Sequence, residues 1–234
     1  RILMQRKSVI VAAKRAPIGS FQGQLSTLSA SDLASCVIRK ILDDVQISPD
    51  TIDEVILGNV LSAGQGQSPA RQATLKGGCP NTVETLTINK MCGSGLKAVM
   101  LADQAIRCGH ADVIIAGGME SMSNSPYLLK DFRRGKKLGD SGILDSVIYD
   151  GLWDVYTDQH MGNCAEVLSN ENNINRREQD DFAKESYRRA VKAINNGYFK
   201  YEIAPVEVAN KNKKIVIIDT DEEPGRVKLD KIPN

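Results

Sequence analysis

Up to Gly118 the chain repeats one unit: a short apolar run rich in β-branched residues, a break marked by glycine or proline, then an amphipathic stretch at the helical period. The runs fall at residues 8–13 (SVIVAA), 55–61 (VILGNVL), 84–89 (ETLTIN) and 111–118 (ADVIIAGG). Largely apolar on both faces, they read as strands covered on both sides. Between the first two, Leu33, Val37, Ile38, Ile41, Leu42 and Val45 return at helical spacing, with Ser31 as the expected cap and Ser48-Pro49 as the stop. A glycine- and glutamine-rich loop then leads to a short helix opening near Pro69, a favoured first-turn residue. After the third run, Leu96, Val99, Met100, Ala102, Ala105 and Ile106 share one helical face, and Gly109 is placed to close that helix. This order predicts a largely parallel sheet with helices on its faces, an α/β core.

The alternation stops beyond Glu120, where SMSNSPYLLKDFRRGKKLGDSG is polar, basic and turn-rich. The expected division is therefore a core at residues 1–120 and a second segment at residues 121–234. Within the second, Asn175 and Glu178 have the spacing of a capping box opening a helix through Phe182, Ala183, Tyr187, Ala190 and Ile194, with Gly197 as its stop. A strand pair at residues 204–209 and 213–219 is expected to follow. Lys211, Lys213 and Lys214 read as a solvated charged turn.

Composition excludes several function classes. Thirty basic residues against 29 acidic leave a net charge of +1, which argues against nucleic acid as the partner. The apolar runs are too short to span a bilayer and the N-terminal residues lack a signal-like apolar core, so an intracellular protein without a membrane partner is expected. Five cysteines with no CxxC pair argue against a disulfide framework or a zinc ribbon. The two histidines, His110 and His160, have no further ligand at helical spacing, so no metal site is expected.

Cys36, Cys79, Cys108 and Cys164 read as packing residues, because free cysteine usually behaves as a small hydrophobe. Cys92 stands differently, in NKMCGSGLKAV at residues 89–99, where a β-run gives way to a helix. Unpaired amides and the helix dipole there favour negative charge, on a thiolate or on a developing oxyanion. The flanking Gly93 and Gly95 let a substrate approach, which suits a nucleophile on an elbow. The same glycines, with Ala98, match the G-x-G-x-x-A pattern that cradles a dinucleotide phosphate. Against that pattern, two strands precede it and the next strand ends in Gly117-Gly118, with Glu120 arriving late for a ribose hydroxyl.

Together, NKMCGSGLKAV, ADVIIAGGMESMSNSPYLL and DGLWDVYTDQHMGNCAE resemble the N-terminal half of a thiolase of the short-chain acetyl-CoA acetyltransferase type; the likeness runs from KRAPIGSFQGQLS to near the last residue. The resemblance implies half of a layered αβα core with an inserted, mixed α/β loop domain that covers the active site. It implies an acyltransferase that condenses two acetyl-CoA to acetoacetyl-CoA and CoA, reversibly, with Cys92 as the acyl acceptor. Its own amide would contribute to the acyl oxyanion hole, and Asn89 and residues 93–95 would shape the turn. Leu152, His160 and Met161 match positions lining the coenzyme A tunnel and acyl pocket, Met161 as the wall that keeps the acyl group short. Coenzyme A thioesters are then substrates and no permanently bound cofactor is implied. A homotetramer or dimer in the cytoplasm, or in a mitochondrial matrix, is the matching expectation.

In that family a histidine and a second cysteine complete the catalysis from motifs that have no counterpart among these residues. The expectation is therefore a piece of a longer enzyme, inactive alone. The other readings are a longer-chain 3-ketoacyl-CoA thiolase, a catalytically inactive thiolase-like fragment, and a nucleotide-binding module using Gly93, Gly95 and Ala98.

Overall fold

The computed structural model describes residues 6–210 and 212–232. Its first helix, α1 (Ala30–Val45), opens with a reciprocal capping box in which the Ser29 hydroxyl accepts from the Asp32 amide and the Asp32 carboxylate accepts from the Ser29 amide. Ser31, the expected cap, is instead buried and donates to the carbonyl of Pro69. Then come β1 (Glu54–Gly58), α2 (Pro69–Lys76), β2 (Glu84–Ile88), α3 (Ser94–Cys108) and β3 (Ile114–Gly118). The three strands form one parallel sheet in the order β2-β1-β3, with Gly58 aligned to Ile88 on one side and to Gly118 on the other. All three strands therefore end at the same edge.

Helices cover both faces of this sheet, as the apolar runs require. Ala34, Ile38 and Leu42 of α1 and Ala70 and Ala73 of α2 pack into one core with Val55, Leu57, Val83 and Ile115. Along β1 successive side chains alternate between faces, and Gly58 meets Ser94 at the start of α3, which lies on the opposite face. The α/β expectation is thus realised as a three-layer arrangement.

Three local expectations are corrected. Residues 8–13 form no strand: Val9, Ile10 and Val11 are 72–81% exposed, because a strand is held by its ladder and this run pairs with no strand among the described residues. Side chains tether it instead, through ion pairs of Arg6 with Asp112 and Lys14 with Asp44 and a bond from Ser8 to Asp103. Strand β1 stops at Gly58, and Asn59, Val60 and Leu61 turn away to bond Glu120. On α3 the residues facing the sheet are small, Ser94, Ala98 and Ala102, whereas Leu96, Val99 and Met100 are exposed. The glycines ending β1 and β3 draw the helix so close that large side chains do not fit beneath it.

Beyond the sheet, β4 (Tyr127–Leu128) pairs with β5 (Leu144–Asp145), and β6 (Trp153–Asp154) with β7 (Gln159–His160), each antiparallel. Helices α4 (Met161–Glu171) and α5 (Arg176–Asn195) follow; α5 carries the expected Asn175/Glu178 capping box, and Gly197 lies just past its end at φ 70°. The expected strand pair is the antiparallel hairpin of β8 (Val206–Ala209) and β9 (Ile215–Ile218). Val206 and Val208 pack on Leu25, with Leu33 and Cys36 of α1 alongside. In the turn between β8 and β9, Lys213 and Lys214 are exposed, while Lys211 lies outside the described residues.

Charged groups fasten the same region to the first loop. Arg15 bonds Glu202 at 2.5 Å and both carboxylate oxygens of Asp221 at 2.7 and 2.9 Å. Burial pushes the Asp221 carboxyl up, but the bonds from Arg15 and the Ile18 amide outweigh it and hold the group below its ordinary range. Amides do the same for two others: those of Ser20 and Gln24 for Glu222, and those of Val113 and Asp112 for Asp53. These carboxylates bind protons more weakly folded than unfolded, so their contribution is complete above the unfolded values and lost as pH falls through the folded ones. The thermal midpoint is expected to be flat from neutral pH down and to drop steeply below about pH 4. A midpoint unchanged down to about pH 3 would contradict these bonds.

Candidate active site

The shared edge at which β1, β2 and β3 end is where open α/β sheets present their chemistry. Cys92 stands there, between the end of β2 and Gly93, the N-cap of α3, with its side chain exposed. The turn is built by its neighbours. The Asn89 side-chain oxygen accepts the Met91 amide at 2.9 Å, and the Ser94 hydroxyl accepts the Lys90 amide at 2.8 Å while donating to the Met91 carbonyl at 2.6 Å. The amides of Gly93 and Ser94 bond the carbonyls of Lys90 and Met91. None of these bonds uses the amide of Cys92. Met91 is held at φ 49°, a left-handed conformation that a residue with a long side chain adopts only when its surroundings enforce it.

Glycine lets the turn sit directly on the sheet. A methyl group at Gly58 would lie 2.5 Å from the Cβ of Ser94 and 2.8 Å from the backbone nitrogen of Gly95. Gly95 is less constrained, since a methyl there would come no closer than 3.6 Å to the backbone of Gly118, an ordinary contact. Gly93 has φ −87°, which any residue adopts. The backbone at Gly93 therefore does not itself require glycine.

A second group of polar residues ties the three loops at this edge together. Glu120, just past β3, reaches across to the loop after β1: Oε1 accepts from the Asn59 side-chain amide at 2.7 Å and the Leu61 amide at 3.1 Å, and Oε2 from the Val60 amide at 2.9 Å. Asn59 is 2% exposed, and its own oxygen accepts from Gln65 at 3.1 Å. The backbone joins in, with the Asn59 amide on the Ile88 carbonyl and the Met119 amide on the Gly58 carbonyl, both 2.9 Å. Glu120 is thus engaged within the chain rather than held out for a ribose. In the sequence Glu120 reads only as a misplaced acid and Asn59 carries no signal, because partners some 60 positions apart leave no local spacing to detect.

Leu152, His160 and Met161 flank the β6–β7 hairpin. Leu152 ends a π-helical turn (Val147–Leu152) immediately before Trp153, which pairs with His160 in the β6–β7 hairpin, and Met161 opens α4 immediately after His160. His160 caps α4, its Nδ1 accepting the Gly162 amide at 3.0 Å, which leaves Nε2 to carry the proton of the neutral ring. Gly151 rests against the side chain of Leu61, so this turn meets the loop that Glu120 holds.

The remaining cysteines have other surroundings. Cys79 is buried and Cys36 half-buried, and burial pushes both thiols up, towards the unreactive protonated form. Cys164 is half-buried, whereas Cys108 is exposed at the end of α3, where packing was expected. A cavity of about 600 Å³ opens between the first loop, α1 and β3, lined by Pro17, Val37, Ile41, Ile115 and Met119; Cys92 does not line it. Among the described residues no cluster of three histidine, cysteine or acidic groups is placed to hold a metal ion, and no helix is long and apolar enough to cross a membrane.

A family model described as Thiolase, N-terminal domain, matches residues 8–234. The chain belongs to the thiolase family. Curated relatives of this thiolase domain include a probable acetyl-CoA acetyltransferase of Escherichia coli, 50% identical over 92% of the chain, and an acetyl-CoA acetyltransferase of Pseudomonas aeruginosa, 49% identical over 92%. A mitochondrial acetyl-CoA acetyltransferase A of Xenopus laevis is 49% identical over 96%. These alignments cover 55%, 55% and 53% of the respective relatives, so the thiolase chain spans about half the length of the curated relatives it matches.

Proposed function

We propose that this chain supplies the acyl-accepting half of an acetyl-CoA acetyltransferase, which condenses two acetyl-CoA to acetoacetyl-CoA and CoA and runs in reverse as thiolysis. The observation that carries the reading is the placement of Cys92: exposed, at the N-terminus of α3, on a turn whose internal bonds leave its amide available. The Cys92 thiolate adds to the thioester carbonyl of acetyl-CoA, the oxyanion so formed accepts from the Cys92 amide, and its collapse expels CoA and leaves acetyl-cysteine. The α-carbanion of a second acetyl-CoA then attacks that carbonyl, forming the carbon–carbon bond and returning the thiolate. The base that removes the α-proton is assigned to a part of the complete enzyme outside residues 1–234.

In this reading residues 121–234 are the loop domain that covers the site. Leu152, His160 and Met161 line the coenzyme A tunnel, a reading supported by their places at the two ends of the β6–β7 hairpin. Met161 closes the acyl end. Coenzyme A thioesters are substrates, and the assembly is a homotetramer or dimer of the cytoplasm or mitochondrial matrix.

Steady-state thiolysis by the complete polypeptide tests this proposal. Acetoacetyl-CoA is expected to be cleaved at least about tenfold faster, in kcat/KM, than 3-ketooctanoyl-CoA, since a pocket closed by a bulky side chain rejects added methylenes by that order. A preference for the longer substrate would make the chain part of a long-chain thiolase instead.

A further inference from the structure

The Glu120 carboxylate accepts three hydrogen bonds at the active-site edge, yet none of the acyl-transfer steps above uses it. We propose that Glu120 is a positioning residue for acyl transfer, fixing the turn that carries Cys92; the inference rests on Cys92 being the acyl acceptor.

The path from carboxylate to turn is short. Glu120 fixes the Val60 amide and the Asn59 side chain, and Asn59 in turn hangs its own amide on Ile88, the last residue of β2. The Val60 carbonyl is met at 3.5 Å by the Asn89 side-chain nitrogen, while the oxygen of the same amide group holds the Met91 amide. Asn89 is thereby approached from one side by the Glu120-bound loop and commits its other side to the residue before Cys92. The Asn89 side chain, together with Ser94 on the Met91 carbonyl, holds Met91 in its left-handed conformation, and Met91 sets the direction of the Cys92 amide. What Glu120 governs is thus the oxyanion donor rather than the thiol, whose access to solvent does not depend on this network.

Geometry also says which variants preserve the arrangement. Both carboxylate oxygens are needed as acceptors, so Glu120→Gln keeps the shape but sets an NH2 group against an amide N–H at one of the two oxygen positions. Glu120→Asp retains two acceptors on a stem one methylene too short.

The experiment uses the complete polypeptide and two single-turnover readouts on Cys92: acetylation by acetyl-CoA, which passes through an oxyanion, and alkylation by iodoacetamide, which does not. For Glu120→Gln, acetylation is expected to slow by on the order of tenfold or more, the scale for a misdirected oxyanion donor, with alkylation within about twofold of wild type. Glu120→Asp, measured in parallel, is expected to show the same split if Glu120→Gln is too unstable to assay. Acetylation unchanged in both variants overturns the inference. So does an equal fall in both reactions, which marks a general loss of structure. Absence of acetylation on Cys92 in the unmutated protein would instead remove the functional reading on which the inference rests.

Discussion

Replacing Cys92 by alanine is expected to abolish covalent acetylation of the complete enzyme and to lower its turnover by on the order of 10⁴-fold or more, because a nucleophile acting through a covalent intermediate has no substitute in the unit it serves. The other thiols are poor replacements. Cys79 is buried and Cys36 half-buried, and burial pushes both thiols up. Cys108 is exposed but sits at the far end of α3, a helix length away from the turn that carries Cys92. Stability should change little, since the Cys92 side chain is exposed and the turn is held by Asn89 and Ser94. Turnover retained within about tenfold would show that the covalent route does not run through this residue.

The largest effect on folding is expected at Gly58. A methyl group there would sit 2.5 Å from the Cβ and 2.6 Å from the carbonyl carbon of Ser94, and backbone atoms cannot swing aside as a flexible side chain would. To relieve the overlap, α3 must lift from β1, and with it the turn that carries Cys92. Gly58→Ala is expected to destabilise the protein by about 1–3 kcal/mol or more, the usual cost of overpacking, and to slow acetylation. Gly95→Ala provides the contrast: its methyl meets only ordinary contacts, and alanine favours the helix, so it is expected to be neutral or slightly stabilising. Thermal unfolding of the two variants side by side reads this difference. Equal midpoints would mean that the sheet and α3 are not in such close contact.

Features decided by neighbours in sequence were legible beforehand. The capping box at Asn175, the left-handed Gly109 closing α3, and the strand–turn–helix around Cys92 each follow from residues within a few positions of one another. Long-range pairing was less accessible. The run at residues 8–13 has strand composition, but composition does not supply a partner, and Val9, Ile10 and Val11 remain exposed. On α3 the periodicity marks a face through Leu96, Val99, Met100 and Ala102, of which the sheet receives Ala102, with Ala98 from outside that face, because close approach at Gly58 and Gly118 selects small residues over large apolar ones. Glu120 illustrates the same limit at the site: its role is defined by Asn59, Val60 and Leu61, none of them its neighbour in sequence.

The central claim is that Cys92 carries the acyl group, and the most direct measurement is the intact mass of the complete polypeptide after incubation with acetyl-CoA, followed by peptide mapping of the adduct. One acetyl group, mapped to Cys92 and discharged by added CoA, is the predicted result. No adduct, or an acetyl group on any other residue, would contradict the account.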